Sequence, residues 1–358
     1  MANSDVVDMI CRKAVEVVTV DELRDRILHG GKLRGYLGFE PSGLFHIGWL
    51  IWAFKYRDLV NAGIDMYLLA ATWHAWINDK LGGNLDLIRA AANHVVSVLK
   101  HVNIDISKVK VVYAEELVDD REYWGILIKV AKRVSLARVR RALTIMGRKS
   151  EEAETDFSKL IYPLMQVTDI FYLDLDVALG GIDQRKAHML ARDVADKLGF
   201  KKPIAIHTPL LTSLQGVGRM DIKGEVDDVL SEVKMSKSRP ESAIFITDSD
   251  DEIRKKIMNA YCPPKQVDLN PVMELAKYII FYDEPKKVVI ERPQRFGGPL
   301  EIYTYRELED LYISGKLHPL DLKATVADHI VDIVRPIREG VIKESGELLA
   351  ELMSHVSR

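Results

Sequence analysis

The sequence predicts an α/β protein with a doubly wound, Rossmann-like parallel sheet and a C-terminal α-helical domain. Short apolar runs typical of buried strands alternate with helical patterns through the first two thirds of the 358 residues. This alternation is typical of parallel α/β sheets. Beyond about residue 250 the pattern becomes helical. With 47% hydrophobic residues, the chain is long enough to bury two cores.

Each element is predicted from a local pattern. Short apolar runs predict strands at 34–39, 66–71, 109–113, 173–179 and 204–206. Helical spacing of apolar residues, with capping residues before them, predicts helices at 47–61, 87–102, 321–337 and 344–355. Asn84 or Asp86 is expected to cap the second of these helices, and Ser249 with Glu252 predicts a capped helix start. The segment 213–233 is expected to be a loop or insert.

Composition excludes several classes of protein. No apolar run approaches the roughly 20 residues of a membrane span, and residues 1–13 contain no apolar block, so we expect neither a membrane protein nor a secretory signal. Two cysteines, Cys11 and Cys262, are too few for a disulfide framework or a Cys-rich zinc site. The net charge is −3, yet residues 129–149 carry eight Lys or Arg and no acid. A solvated helix face is the usual explanation for such a run, but its size makes contact with a phosphate backbone credible.

Two segments are suited to binding the phosphates of ATP. The first signature, His46-Ile47-Gly48-Trp49, follows a predicted strand and a Pro-Ser-Gly turn, so the imidazole is expected at a helix N-terminus, where anions bind. Gly48 leaves bare backbone against which a purine can lie. In the second signature, Lys234-Met235-Ser236-Lys237-Ser238, two lysines three residues apart can neutralise a leaving pyrophosphate. Either motif alone could arise by chance, so the evidence lies in finding both in this order.

The two signatures and the sequence between them resemble the class I aminoacyl-tRNA synthetases, and in detail the tyrosyl-tRNA synthetases of the archaeal and eukaryotic type. The resemblance extends from about residue 33 to about residue 325. Its most specific stretches are YLGFEPSG (36–43), YPLMQVTD (162–169), GGIDQRK (180–186) and HPLDLK (318–323). It implies a cytoplasmic homodimer that uses ATP with Mg²⁺, and no bound zinc, to activate tyrosine and charge tRNA(Tyr).

The resemblance also implies roles for individual residues. Tyr36 and Asp169 correspond to the pair that binds the substrate phenol. The other positions implied to bind tyrosine are Glu40, Leu69, His74, Tyr162, Gln166 and Gln184. The positions implied to bind ATP are Gly38, His46, Gly48, Asp183, Lys234, Met235, Ser236 and Lys237, and the catalytic ones among them are His46, Lys234 and Lys237. The positions implied to contact tRNA are Arg141, Arg185 and Lys186 at the acceptor stem, and Phe296, His318, Pro319 and Asp321 at the anticodon.

The same resemblance divides the chain by function. Residues 1–225 are predicted to form the catalytic domain, with the connective insertion and dimer region at about 110–160. Residues 226–249 form the linker that carries the second signature, and residues 250–358 the helical anticodon-binding domain. One position departs from the family pattern, because Trp49 stands where many class I enzymes have a second histidine.

Three alternatives remain open from the sequence. A tryptophanyl-tRNA synthetase would share the fold and both signatures, but an indole offers only one N–H donor, so the Tyr36 and Asp169 pair favours tyrosine. A nucleotidylyltransferase would also use the first signature to bind nucleotide phosphates, but it would not need residues 250–358. A tRNA-binding paralogue that has lost activation is disfavoured by the intact His46, Lys234 and Lys237.

Overall fold

The computed structural model describes residues 3–29, 31–146, 156–216, 235 and 240–356. The chain divides into two compact units. The sheet unit comprises Met1–Gly43, Trp52–Pro209 and Ser345–Arg358, and the helical unit comprises Leu44–Ile51 and Leu210–Glu344.

A six-stranded sheet forms the centre of the sheet unit. Its strands are β1 Glu16–Val18, β2 Arg34–Phe39, β3 Asp65–Ala70, β4 Val109–Tyr113, β5 Val177–Gly181 and β6 Ile204–Thr208. Their order is β1-β6-β5-β2-β3-β4, with every pair parallel except β1 against β6. The order reverses between β2 and β5. In such sheets a ligand binds outside the carboxyl ends of the strands at that reversal, so this position is where a site is expected. The predicted doubly wound sheet is confirmed.

Fourteen helices lie within the described residues. In the first 200 residues they are α1 Asn3–Cys11, α2 Val20–His29, α3 Trp49–Asn61, α4 Thr72–Ile77, α5 Leu85–Lys100, α6 Ala114–Val118, α7 Arg121–Arg133, α8 Leu136–Ala142, α9 Ser158–Tyr172 and α10 Arg185–Leu198. Beyond residue 240 they are α11 Asp250–Asn259, α12 Pro271–Leu275, α13 Tyr305–Ile313 and α14 Pro319–Val356. The C-terminal part of the chain is therefore largely helical, as predicted.

Local capping chemistry accounts for two predicted helix starts. The side chain of Asn84 accepts hydrogen bonds from the backbone N–H groups of Asp86 and Leu87, at 3.0 and 3.2 Å, so Asn84 is the cap of α5. Ser249 and Glu252 form a reciprocal capping box at the start of α11. Both caps satisfy N–H groups that the first turn of a helix leaves without intrahelical partners.

Three predictions of secondary structure were wrong in part. The strand predicted at 173–179 begins only at Val177, because Asp174 adopts a left-handed conformation (φ 53°) in the turn that ends α9. The two helices predicted at 321–337 and 344–355 are both present within α14 and are separated by a kink at Ser345 (φ −143°), but the first continues to that kink instead of ending at residue 337. The helical unit also contains an antiparallel pair, β7 Val288–Ile290 and β8 Leu300–Ile302, which the pattern did not reveal. Of the predicted insert at 213–233, residues 217–233 lie outside the described part of the chain.

A buried lysine joins α1 to α3. Lys55 is fully buried, and its Nζ donates to the carbonyl oxygens of Ile10, at 3.0 Å, and Arg12 at the end of α1. Asp58, one turn further along α3, accepts two hydrogen bonds from the Arg12 guanidinium at 2.9 and 2.6 Å. Burial lowers the pKa of Lys55 to about 8, although Asp58 opposes the shift. The ammonium therefore carries the contact between the two helices.

We predict that Lys55→Met lowers the free energy of unfolding by about 3 kcal/mol, because it removes the cation from a buried, hydrogen-bonded ion network. Lys108→Met is the matched control, since Lys108 is 67% exposed and its ion pair among the described residues is with Asp105, three residues earlier. That variant should change stability by less than about 0.5 kcal/mol. Denaturant unfolding of both variants measures the difference, and equal, small losses would contradict the importance of Lys55.

Candidate active site

Tyr36 and Asp169 meet in the interior of the sheet unit. Tyr36 lies on β2, next to the reversal of strand order, and Asp169 on α9, and both side chains are buried. Burial, with the nearby Asp169 charge, raises the pKa of Tyr36 well above its usual range, and Gln166 only partly opposes this. The phenol of Tyr36 therefore stays neutral and can donate a hydrogen bond beside a carboxylate that accepts one.

The carboxylate of Asp169 has two further neighbours. The hydroxyl of Tyr123 on α7 donates to Oδ1 at 2.8 Å, and Nε2 of His74 on α4 lies 3.2 Å from Oδ2. Burial and Asp169 raise the pKa of Tyr123 well above its usual range, so this hydroxyl keeps its proton. Sequence reasoning missed Tyr123. The spacing of Tyr123, Ile126 and Val130 could have placed it on the buried face of α7, but not beside Asp169.

Glu40, directly after β2, is held from several sides. Its Oε1 accepts hydrogen bonds from Nδ2 of Asn78, at 2.8 Å, and from the hydroxyl of Tyr162, at 3.3 Å. Nζ of Lys80 lies 3.4 Å from Oε2. The Tyr162 ring in turn stands edge-on to His74, with centroids 5.0 Å apart. The structure thus brings Glu40, Tyr162, His74 and Asp169 into one connected set, and it adds Asn78 and Lys80, which the sequence did not indicate.

The two predicted glutamines contact each other. Nε2 of Gln166 donates to Oε1 of Gln184 at 3.2 Å, and Nε2 of Gln184 donates to the carbonyl of Ile145 at 3.2 Å. Oε1 of Gln166 is buried, and no described residue donates a hydrogen bond to it. A buried acceptor without a partner is costly, so this oxygen is available to the N–H groups of a ligand.

Gly38, Leu69 and Asp183 complete the predicted positions in the sheet unit. Gly38 on β2 is paired with Leu69 on β3, and a Cβ added to Gly38 would lie 3.3 Å from the ring of Tyr36. Leu69 packs in the same core cluster as Tyr36. Asp183 lies in the short 3₁₀ turn Ile182–Gln184 that follows β5, close enough for its charge to raise the pKa of Tyr162, although burial is the larger cause.

The first signature is fixed by backbone pairing in the helical unit. The N–H of Ile47 donates to the carbonyl of Ile244 at 2.8 Å, and the N–H of Ile246 donates to the carbonyl of Phe45 at 3.1 Å. His46 is thereby held opposite Phe245 in an antiparallel bridge. These partners lie just beyond the second signature in the sequence, so residues about 200 positions apart are joined.

Gly48 leaves little room for a side chain. A Cβ added to Gly48 would lie 3.0 Å from the His46 imidazole, which is closer than almost all real contacts of that kind. The next residue, Trp49, places its indole 5.6 Å from the imidazole, centroid to centroid. Trp49 therefore packs beside His46 at the position where many class I enzymes have a second histidine.

The second signature is described at one residue only. The N–H of Met235 donates to the carbonyl of Leu211 at 2.8 Å. Leu211 also lies beside the first signature, because its Cβ would be 3.9 Å from a Cβ added to Gly48. The remaining predicted residues, Lys234, Ser236 and Lys237, lie outside the described residues.

The candidate acceptor-stem residues differ in their surroundings. Arg185, at the start of α10, donates three hydrogen bonds of 2.8–3.0 Å to the carboxylate of Glu16. Nζ of Lys186 donates to Oγ1 of Thr144 at 3.1 Å, and Arg141 is exposed at the end of α8. The predicted acceptor-stem positions therefore lie at the start of α10 and in the last turn of α8.

The candidate anticodon residues are linked by an arginine that the sequence did not single out. Phe296 is 60% exposed, and the guanidinium of Arg295 lies 4.9 Å from its ring centroid. Arg292 donates to the carbonyl of Gly298, at 3.0 Å, and to the carbonyl of Lys316, at 2.9 Å. Through Arg292, the turn that carries Phe296 is joined to the chain two residues before His318.

At the start of α14, His318, Pro319 and Asp321 are at least partly accessible. Nδ1 of His318 accepts a hydrogen bond from the N–H of Leu320 at 3.2 Å, which leaves the rest of the imidazole exposed.

None of the helices in the described part of the chain combines the length and the apolar character that crossing a membrane requires.

A family model described as tRNA synthetases class I (W and Y) matches residues 29–221 and 226–335. The chain belongs to this family. Among curated proteins, it is 61% identical to the tyrosine–tRNA ligase of Aeropyrum pernix over 334 residues, which cover 93% of this chain and 92% of the relative. It is 56% identical to the tyrosine–tRNA ligase of Saccharolobus islandicus over 354 residues, or 98% of each chain.

Solved structures agree with this assignment. The tyrosyl-tRNA synthetase of Pyrococcus horikoshii, solved with L-tyrosine, superposes with a TM-score of 0.91 at 40% identity, covering 99% of this chain and all of the other. The enzyme of Aeropyrum pernix gives a TM-score of 0.88 at 52% identity, with the same coverage. The resemblance to archaeal tyrosyl-tRNA synthetases inferred from the sequence is confirmed.

Proposed function

We propose that this protein is a tyrosine–tRNA ligase that activates L-tyrosine with ATP and transfers the tyrosyl group to the 3′-terminal adenosine of tRNA(Tyr). The observation that carries the proposal is the buried pair of Tyr36 and Asp169, a hydroxyl and a carboxylate placed together in the interior. The relatives named above, at 56 and 61% identity over nearly the whole chain, carry out this reaction by name.

The first step joins the tyrosine carboxylate to the α-phosphorus of ATP. A carboxylate oxygen forms the new bond, the bond from the α-phosphorus to the bridging oxygen of the β-phosphate breaks, and pyrophosphate leaves with the electron pair. The nucleophile is already ionised, so no protein base is needed, and the rate comes from positioning and from stabilising charge. We assign that stabilisation to His46, Lys234 and Lys237.

Binding of ATP is assigned to the further residues that the family resemblance implies. They are Gly38, Gly48, Asp183, Met235 and Ser236. ATP is taken as its magnesium complex, because Mg²⁺ in such reactions is held largely by substrate phosphates.

The second step uses the tyrosyl-adenylate. A terminal ribose hydroxyl of tRNA attacks the carbonyl carbon and loses its proton to solvent, the bond from that carbon to the phosphate oxygen of AMP breaks, and AMP leaves with the electron pair. We propose that Arg141, Arg185 and Lys186 contact the acceptor stem, since Arg and Lys suit phosphates and guanine edges. At the other end of the tRNA, exposed Phe296 can stack on an anticodon base, with His318, Pro319 and Asp321 nearby in the sequence.

Tyrosine is selected by the polarity of its phenol. The substrate hydroxyl would donate to Asp169 and accept from Tyr36, and phenylalanine would leave one buried acceptor position of Asp169 and the hydroxyl hydrogen of Tyr36 without these partners. Such groups cost roughly 1–3 kcal/mol each. At the other end of the substrate, the free Oε1 of Gln166 can accept from the ammonium, beside Tyr162 and Gln184. Leu69, His74 and Glu40 are assigned to the remaining walls of this pocket.

We further propose a cytoplasmic homodimer, formed through the predicted dimer region at about 110–160. On α7 and α8 three large apolar side chains, Trp124, Ile128 and Leu136, are 46, 66 and 56% exposed. Exposed apolar side chains this close in sequence are typical of protein interfaces. A monomer in sedimentation analysis would refute the dimer. The division of roles at 1–225, 226–249 and 250–358 also stays a proposal.

The reaction is tested by ATP–pyrophosphate exchange with tyrosine, tryptophan and phenylalanine in parallel. Exchange should depend on tyrosine alone, because only its hydroxyl matches the buried donor and acceptor. Lys234→Ala and Lys237→Ala should reduce exchange while sparing tRNA binding. Exchange with tryptophan would agree with the family assignment but would contradict the residue roles assigned to the tyrosine pocket. No exchange with any of the three amino acids would contradict the proposed activity.

Tyr123 should contribute to selectivity through Asp169. In Tyr123→Phe the carboxylate loses its fixed donor and can turn away from the phenol, so we expect the preference for tyrosine over phenylalanine in kcat/KM to fall about tenfold. Tyr172→Phe is the matched control. It also removes one hydroxyl, which donates to Asp120 at 2.8 Å, from a ring 5.7 Å from that of Tyr123. An unchanged preference in Tyr123→Phe would argue against the role.

Arg292 should matter for tRNA but not for activation. Arg292→Ala releases the turn carrying Phe296 from Lys316, so the KM for tRNA should rise about tenfold, the effect of losing a charge-assisted contact. Tyrosine-dependent exchange should stay at the wild-type rate. Arg306→Ala removes an exposed arginine that pairs only along its own helix, and it is the control. Equal effects of the two substitutions on aminoacylation would contradict the assignment.

A further inference from the structure

The carboxylate of Glu274, on α12, binds Thr212, the neighbour of Leu211. Oε2 of Glu274 accepts a hydrogen bond from the N–H of Thr212 at 2.7 Å, and Oε1 accepts one from Oγ1 of Thr212 at 2.8 Å. Thr212 is buried. One side chain thus fixes both the backbone and the side chain of a residue 62 positions earlier in the sequence.

Thr212 occupies the middle of a short connecting segment, 211–214. On one side of Thr212, the carbonyl of Leu211 accepts from Met235 of the second signature, at 2.8 Å, and Leu211 lies beside Gly48 of the first. On the other side, the N–H of Leu214 donates to the carbonyl of Ser242 at 3.0 Å. A displacement of Thr212 would therefore move the backbone that supports both signatures.

The surroundings of Glu274 disfavour its ionised form. No ion pair links it to another described residue, and the nearest lysine of its own helix turn, Lys277, places its Nζ 5.2 and 5.4 Å from the ring centroids of Tyr278 and Tyr305. Burial raises the pKa of Glu274 to about 7, against the two Thr212 hydrogen bonds and Lys277, while Asp268 adds to the rise. Because perturbed pKa values cluster at functional sites, this carboxyl is a candidate for a role at one.

We propose that Glu274 is a positioning residue for ATP, which holds the Leu211–Thr212 segment so that Gly48 and Met235, the signature residues beside Leu211, keep the geometry that the nucleotide needs. The inference rests on the proposed function in one respect, namely that the signatures bind ATP. It adds a residue from outside both signatures, acting through Thr212. The tyrosine pocket lies in the sheet unit, so its residues do not depend on this clamp.

The chain supplies a control of the same chemistry. Glu307 accepts hydrogen bonds from the N–H and Oγ1 of Thr304, at 2.9 and 3.1 Å, in the capping box that starts α13. The pair of Glu307 and Thr304 repeats the contacts of Glu274 and Thr212 in the same unit, with no contact to either signature among the described residues. Glu307→Ala thus removes an equivalent clamp at an unrelated place.

The test is ATP–pyrophosphate exchange with ATP and tyrosine varied separately. In Glu274→Ala the KM for ATP should rise about tenfold, as expected for loss of a well-made buried contact, and the KM for tyrosine should stay within about twofold. In Glu307→Ala both values should match those of the wild type. A purely structural role would lower the melting temperature and leave both KM values unchanged, and that result would overturn the proposal, as would equal changes in both.

Two further variants keep the test decisive if Glu274→Ala fails to fold. Thr212→Val keeps the shape of the side chain and loses only one hydrogen bond, so it should give a smaller rise in the KM for ATP. Glu274→Gln can keep both contacts and should behave as the wild type. Exchange that is absent in the wild type would defeat the proposed function itself, whereas normal exchange with unchanged KM values in these variants would defeat only the clamp.

The ionisation of Glu274 has a separate readout. Its pKa in the folded chain lies above the ordinary value of 4.5, so its contribution to stability is present at low pH and is lost as the pH rises through about 7. Lys277, Asp268, Tyr278 and Tyr305 are the charged and titratable groups that face it. Unfolding measured from pH 5 to 8 should show a smaller loss of stability in Glu274→Gln than in the wild type, and identical curves would contradict a titrating Glu274.

Discussion

A carboxylate buried away from water must be surrounded by hydrogen-bond donors, and Asp169 places that constraint on the sheet unit. Its neighbours come from three elements: Tyr123 from α7, His74 from α4 and Tyr36 from β2. These side chains converge only because α9 packs beside the reversal of strand order between β2 and β5. The fold thus holds a hydrogen-bond acceptor in a fixed orientation in a buried region. There, the absence of a hydrogen bond from the substrate phenol costs more free energy than it would in water.

The helical unit holds the first signature in a different way. Here the backbone does most of the work, through pairing of 45–47 with 244–246 and of Met235 with Leu211. Because the paired segments are about 200 residues apart, bringing them together has an entropic cost that the rest of the fold must offset.

Sequence reasoning succeeded wherever the cause is local. The apolar runs of β2, β3, β4 and β6 and the caps at Asn84 and Ser249 depend on neighbours within a few residues. It failed where the cause is distant or the element short. Strands β7 and β8 have only three residues each, too few for a periodic pattern, and the contacts of Tyr123 and Glu274 cross 46 and 62 positions. The family resemblance supplied the predicted site residues, but no sequence pattern indicated the partners that contact them.

The start of α10 shows why such orienting residues matter. Arg185 is bound to Glu16, Glu16 accepts from Nδ1 of His207 at 2.7 Å, and Nε2 of His207 lies 3.0 Å from Nδ1 of His188. Burial keeps the pKa of both histidines low, so they are neutral; burial also opposes ionisation of Glu16, but Arg185 and His207 lower its pKa. These contacts therefore consist of one ion pair, between Arg185 and Glu16, followed by two neutral histidines, His207 and His188. The turn Ile182–Gln184 directly precedes Arg185, so anchoring the guanidinium also fixes the backbone from which Asp183 and Gln184 project.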